Sequence, residues 1–330
     1  MKMRKRNLII IQTIIGLILL ALWIKYTNLA TIIHYIKKVN LALLPLIFIL
    51  YVSAYAIRSY RWKIILSPLK EVPSRRIFYM YMAGLFINYI IPVRAGEVAK
   101  SYFLRNEFSI PMSKSFPTIF VDKMFDLIGI VLVILIIPFI SFEMGNWLFV
   151  LLGLILAIFV LFVFVIFLSI RKKEFVLRIS KKVFSHASKK YEEKILGIIE
   201  NFIDGMFVVK RKPYHLLVIF LLSIFAIFVD GTFCYFLFHA LNYHVAFIIV
   251  FFGYTLMNLS YILPTAPGGV GTMEVIWSLI FVVGLGLISD KTASVVVFGH
   301  LFGGLIIIIL GLLSLSLIKF DIRNLMGKRD

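Results

Sequence analysis

Along the chain, long apolar runs alternate with short charged clusters. One run, "WLFVLLGLILAIFVLFVFVIFLSI" at 147–170, carries no charge and exceeds the ~20 residues that a helix needs to cross hydrocarbon. Runs of this kind predict spans near 8–26, 41–63, 118–141, 147–170, 214–240 and 291–318. They are continuously apolar, whereas barrel strands alternate apolar and polar positions, which disfavours a β-barrel. The predicted fold class is an all-α polytopic integral membrane protein with a single transmembrane domain over 1–330.

Two apolar segments break the pattern. "IFYMYMAGLFINYI" (77–90) runs into "IPVRAGEVAKSYFLR", and "VAFIIVFFGYTLMNLSYIL" (245–263) runs into "PTAPGGVGTMEVIWSLIFVVGLGLIS". Each is an apolar arm, a proline–glycine break with a charge, and a second arm. The predicted topology is therefore about six full spans plus two broken hairpins, each either re-entrant or a pair of spans. The breaks "NYIIPVRAGE" (88–97) and "SYILPTAPGG" (260–269) share Tyr-Ile-Ile/Leu-Pro followed by glycine. Interrupted helices at matching places in two halves are the sequence mark of an inverted repeat and of a transporter's central site. If both hairpins cross an even number of times, 30 of the 35 basic residues fall on one side, which the positive-inside rule makes the cytoplasm. Both termini are then cytoplasmic. The first hairpin enters from inside and the second from outside, and the two breaks are expected to meet.

Composition sharpens this picture. The 330 residues are 62% hydrophobic, and mean hydropathy is +1.01. In a soluble chain a net charge of +19 would suggest nucleic acid. Here the basic residues gather in membrane-flanking loops, so no nucleic-acid partner is expected. The one cysteine, Cys234, excludes an internal disulfide and a cysteine-based metal cluster. "MKMRKRN" precedes the first run as in a signal sequence, but no small-residue cleavage site follows, and the run reads as an uncleaved span. The loop 171–213 holds 12 basic residues and alternates them with apolar ones, as an amphipathic helix on an anionic leaflet does. A docking surface for a cytoplasmic partner is the rival reading of that loop.

Charges within apolar helices cost from ~3 kcal/mol upward, so they mark bundle interiors or aqueous cavities. The candidates are Arg94, Glu97, Asp122, Lys123, Asp126, Asp230 and Glu274. Arg94 and Glu97 flank Gly96 and share a face if helical, which allows a pair between them. The other reading is phosphate contact by the planar Arg94 guanidinium, beside backbone N–H groups freed by the break. Asp122 and Asp126, four apart beside Lys123, repel and need a cation or a proton; they read either as boundary charge near a helix N-terminus or as partners of Arg94 or of a proton in the cavity. Asp230, deep in a predicted span, reads as functional or paired, with Arg94 one candidate partner. Pro264 and Pro267 stop the helix, and Gly268, Gly269 and Gly271 permit positive φ. Thr272 is placed to cap a new helix with Glu274 in its first turn. A tight capped turn and a gating or substrate-lining element both fit this stretch. His215, His239, His244 and His300 read as interfacial or hydrogen-bonded because their spacing matches no metal motif, and no Walker or dinucleotide loop is present. Neither a metal site nor a cofactor is expected.

Three stretches, "NYIIPVRAGEVAKSYFLR", "VDKMFDLI" and "PTAPGGVGTMEVIW", resemble, in the same order, the signature stretches of the lysylphosphatidylglycerol synthase transmembrane region, also called the flippase-like membrane family. The resemblance implies a membrane domain that moves a lipid, such as an aminoacylated phospholipid, between leaflets. Related stand-alone members are implicated in handling hopanoid or polyprenyl-linked lipids, and some archaeal members are joined to glycosyltransferases. It carries over Arg94, Glu97, Asp122, Asp126, Gly268, Gly269 and Glu274 as motif positions. Aminoacyl-transferring members have a large soluble domain after the membrane part. This sequence stops at Asp330, so synthase activity is not expected.

The expectation is a non-enzymatic, multi-pass lipid translocase of the cell membrane. Its cargo would be an anionic phospholipid or a polyprenyl-phosphate-linked lipid. Arg94 would attract the phosphate, the carboxylates would balance charge or relay protons, and the breaks would act as gates around a polar cavity. The alternatives are a membrane-embedded transferase acting on a lipid phosphate, and a scaffold recruiting a soluble enzyme through 171–213. Homo-oligomerisation stays open.

Overall fold

A computed structural model describes residues 2–91, 94–129, 173–184, 213–260 and 266–318, with scattered helical positions between 132 and 203. Most of the predicted span 147–170, most of the later part of 118–141, most of the loop 171–213 and Pro264 lie outside the described residues. Among the described residues every regular element is a helix, and none is a strand.

Helix α1 (Lys2–Lys25) meets α2 (Leu29–Lys37) at 87°, so the first predicted span ends in a corner. Asn28 makes the corner: its side chain accepts the Thr31 N–H and starts the new helix. Next come α3 (Leu44–Leu66), α4 (Ser74–Ile90), α5 (Ala95–Phe108) and α6 (Met112–Asp126). Pro73 and Pro111 stand at the N-caps of α4 and α6, where a missing N–H costs nothing. Helices α7 (Lys173–Phe184), α8 (Pro213–Ala240) and α9 (Phe247–Ser260) follow. Short α10 (Thr272–Trp277) winds on as a π-helix over Ser278–Gly284, and α11 (Ser289–Leu317) closes the described chain.

By length and composition α3, α8 and α11 suit a membrane crossing, and α1 with α2 joins them if the bent pair is one span. Helix α3 packs along α8, and α11 along α4. One apolar core gathers Phe238, Phe252, Trp277 and Phe281, and a second gathers Trp62, Met80, Tyr81 and Leu104. The outer faces are apolar too. On α11, Leu301, Leu305, Ile309 and Leu312 recur on one face and are 49–67% exposed. Such continuous greasy stripes suit hydrocarbon, whereas soluble chains rarely expose them. Charge is inside and grease outside.

Both broken segments fold back as helical hairpins. In the first, a Cβ on Gly96 would lie 1.8 Å from the Gly84 carbonyl oxygen, so only glycine lets α5 approach α4 this closely. Asn88 Oδ1 accepts the Gly96 N–H at 2.7 Å and secures the fold-back. In the second, Phe281 packs against Gly253 and Trp277 against Tyr254. The two breaks adjoin: a Cβ on Gly268 would stand 3.5 Å from the Tyr89 ring. The expected Thr272 cap is corrected. Gly271 is the N-cap, with φ 76°, and Thr272 is the first helical residue. A Cβ on Gly271 would lie 1.9 Å from the Gly16 carbonyl oxygen, so contact with α1 overrides capping preference.

Candidate functional site

Arg58 and Arg61 are three apart on α3 and so share a face. That face meets Asp122 and Asp126 of antiparallel α6 on one side and α8 on the other. Arg61 Nε donates to Asp122 Oδ1 at 2.8 Å, and Arg61 Nη2 donates to Asp126 Oδ1 at 2.7 Å. Its Nη1 donates to Ser223 Oγ on α8 at 3.0 Å. Arg58 Nε reaches Asp126 Oδ1 at 3.4 Å, and both Arg58 terminal nitrogens grip the Asp230 carboxylate, Nη1 at 3.2 Å. Acid and base thus alternate in a ladder: Asp122, Arg61, Asp126, Arg58, Asp230. Bidentate guanidinium–carboxylate contacts of this kind fix orientation as well as charge. Arg61 and Asp122 are each 1% exposed, whereas the Lys123 and Asp126 side chains, 3.4 Å apart, are 32% and 27% exposed and bring the ladder to the surface.

A smaller group sits on the first hairpin. Lys100 Nζ donates to Glu97 Oε2 at 3.1 Å, and Asn88 Nδ2 donates to Glu97 Oε1 at 3.2 Å. The Lys100 ammonium lies 4.0 Å from the centroid of the Tyr81 ring, and Lys123 lies 5.9 Å from the same centroid. Tyr81 therefore links the hairpin to the ladder. Together the two groups hold Arg58, Arg61, Lys100 and Lys123 against Glu97, Asp122, Asp126 and Asp230, and formal charge sums to zero. Pairing is what makes burial tolerable, since an uncompensated buried charge costs several kcal/mol.

These contacts overturn three expectations. Asp122, Asp126 and Asp230 meet Arg58 and Arg61, where Arg94 was the candidate cation. Arg94 is no helical neighbour of Glu97: it is the exposed N-cap of α5, in the left-handed region at φ 56°, and Glu97 turns to Lys100 and Asn88. Arg58, Arg61 and Lys100, counted among the cytoplasmic loop charges, are buried.

A third constellation lies in the second hairpin. Glu274 Oε1 is 2.6 Å from His300 Nδ1 on α11, and His300 Nε2 is 2.6 Å from the Gly268 carbonyl oxygen. His300 is thus a partner of the Pro–Gly loop, and of its two readings the hydrogen-bonded one holds. Gly268, Gly269 and Gly271 all take positive φ, and Pro267 opens the short turn that carries them.

Two surface depressions are formed by described residues, and neither lies at the breaks. One of 470 Å³ is lined by Arg105, Ser109, Pro111 and Met112, and one of 790 Å³ lies at the α1–α2 corner. Among the described residues no three His, Cys, Asp or Glu side chains are grouped to hold a metal. Arg58, Arg61 and Lys100 were not picked out as site residues from the sequence, and His300 was not matched with Glu274. The available signal was Arg58 and Arg61 at helical spacing inside the predicted span 41–63.

Residues 9–311 match the family model described as Lysylphosphatidylglycerol synthase TM region. A UPF0104 membrane protein of Methanocaldococcus jannaschii is 29% identical over 99% of this chain and 100% of its own length. A UPF0104 membrane protein of Pyrococcus horikoshii is 25% identical over 84% of this chain and 87% of its own. Glycosyltransferase AglD of Haloferax volcanii is 24% identical over 88% of this chain, a match that covers 51% of that protein. No solved structure matches.

Proposed function

The chain belongs to the lysylphosphatidylglycerol synthase TM-region family, and from that premise we propose that it is a lipid translocase. It passes an anionic headgroup, of a phospholipid or a polyprenyl phosphate, between leaflets while the hydrocarbon chains stay in the bilayer. In this reading six spans and two re-entrant hairpins sit in the cell membrane with both termini in the cytoplasm, and the protein makes and breaks no covalent bonds. The observation that carries the reading is the charge ladder. A bundle with apolar outer faces encloses ionised side chains and brings them to its surface at Lys123 and Asp126. Charges in such a setting mark substrate or ion pathways. Arg94, exposed at the adjoining break, offers the headgroup a first cationic contact.

The test is reconstitution of the full chain in phosphatidylcholine vesicles carrying fluorescent phosphatidylglycerol or a polyprenyl phosphate, with leaflet exchange read by quenching. Wild type should speed exchange of one probe over empty vesicles, and Lys123→Gln should slow it several-fold. Rates equal to empty vesicles for both probes would sink the proposal. The match to half of a protein named a glycosyltransferase favours a second reading, a transferase acting on a lipid phosphate. Product formation by the purified chain from that lipid and a sugar nucleotide would favour it.

A further inference from the structure

We infer that Glu274 and His300 form a proton-binding latch that ties the Pro–Gly loop to α11. The argument is a hydrogen count. Both imidazole nitrogens lie 2.6 Å from oxygens, Nδ1 from Glu274 Oε1 and Nε2 from the Gly268 carbonyl. A carbonyl only accepts, so closing that contact requires a hydrogen on Nε2. The contact between Nδ1 and Oε1 then needs a second hydrogen, on one atom or the other. A neutral imidazole beside an ionised carboxylate holds one hydrogen too few. With that hydrogen on Nε2, the lone pairs of Nδ1 and Oε1 oppose each other. With it on Nδ1, Nε2 opposes the carbonyl. Losing one proton therefore breaks one of the two contacts in either tautomer.

Two independent features support the latch. Glu274 Oε2 is buried with no hydrogen-bond partner, so His300 supplies the carboxylate's described contact. The loop it holds is glycine-built, with φ of 66° at Gly268, 73° at Gly269 and 76° at Gly271, and can rearrange without side-chain strain. The loop also lies against α1 at Gly16 and α4 at Tyr89.

The elements around the pair bring few rivals for the proton. Tyr89 of α4 and Tyr51 of α3 face this turn of α11 beside Gly304 and Gly303, and Tyr254 of α9 lies across Trp277. Helix α1 has no ionisable residue from Leu8 to Trp23. On α2, Tyr35 lies under Lys291 near the start of α11; on α8, Asp230 is held by Arg58 and His239 Nδ1 lies at its own helix's Tyr235 carbonyl. The latch goes beyond the translocase reading and holds whichever lipid is the cargo.

Hydrogen exchange of the full-length protein in nanodiscs tests it, followed by mass spectrometry from about pH 5 to 9, with intrinsic rates divided out. In wild type, peptide 266–277 should lose protection as pH rises, by up to about tenfold per pH unit, as one-proton linkage requires. Glu274→Gln supplies an amide hydrogen to Nδ1 without a titrating proton, so its loop should stay protected throughout. His300→Phe removes the latch and should stay unprotected throughout, with hairpin 74–108 unchanged in both variants. A wild-type profile flat in pH, or a pH step that persists in Glu274→Gln, would overturn the inference.

Discussion

In both hairpins the second arm starts from a residue at positive φ, Arg94 at 56° or Gly271 at 76°, and carries a glutamate at its third helical position, Glu97 or Glu274. A valine follows each, which extends the similarity of the two breaks into the arms. The company differs. Glu97 meets Lys100 one turn along its own helix, with Asn88 completing its contacts. Glu274 meets His300 on a different helix, and through it the backbone of its own loop. The first hairpin is closed by a local pair of strong charges. The second is closed across helices by an imidazole, a side chain able to bind or release a proton. One frame, used twice, yields a rigid element and a releasable one.

The comparison breaks most visibly with matched substitutions. Glu97→Gln leaves the Lys100 ammonium buried without its counter-charge and should cost ~3–5 kcal/mol. Glu274→Gln keeps a hydrogen bond to His300 and should cost under ~1 kcal/mol. Thermal unfolding in detergent, followed by tryptophan fluorescence, separates them, and equal losses would dissolve the contrast. Gly271→Ala should follow at ~2–4 kcal/mol, since it adds left-handed strain to a collision with Gly16. Asn88→Ala strips contacts from the Gly96 N–H and Glu97 and should cost ~1–3 kcal/mol, with faster exchange confined to the first break. Trp23→Phe is the mildest. It removes the 2.8 Å bond from Trp23 Nε1 to Ser278 Oγ, which ties α1 to the second hairpin, at ~1 kcal/mol.

The helical membrane class and both breaks were legible because apolar run length, proline and glycine act locally. Partners were not legible. Helical spacing tells that Asp122 and Asp126 share a face but not which helix that face meets, and Asp230 finds Arg58 172 positions away. Arg58 and Arg61 were hidden by their place at the end of an apolar run, where basic residues ordinarily mark the water boundary. Thr272 lost its capping role because a packing collision, invisible in one segment alone, demands glycine just before it. His300 stands only 26 positions from Glu274, but the contact is made across an intervening turn to another helix.

With Lys123 beside Asp126, the ladder's three acids meet three bases, leaving no vacancy and no surplus. Such an array behaves like an ion-exchange resin at saturation. An entering phosphate gains little by simple addition and must displace an aspartate from its arginine, which leaves a carboxylate free to receive a cationic group. A headgroup carrying both signs would then trade contacts rung by rung with the charge balance intact throughout. An anionic headgroup would keep that balance only by carrying a cation with it.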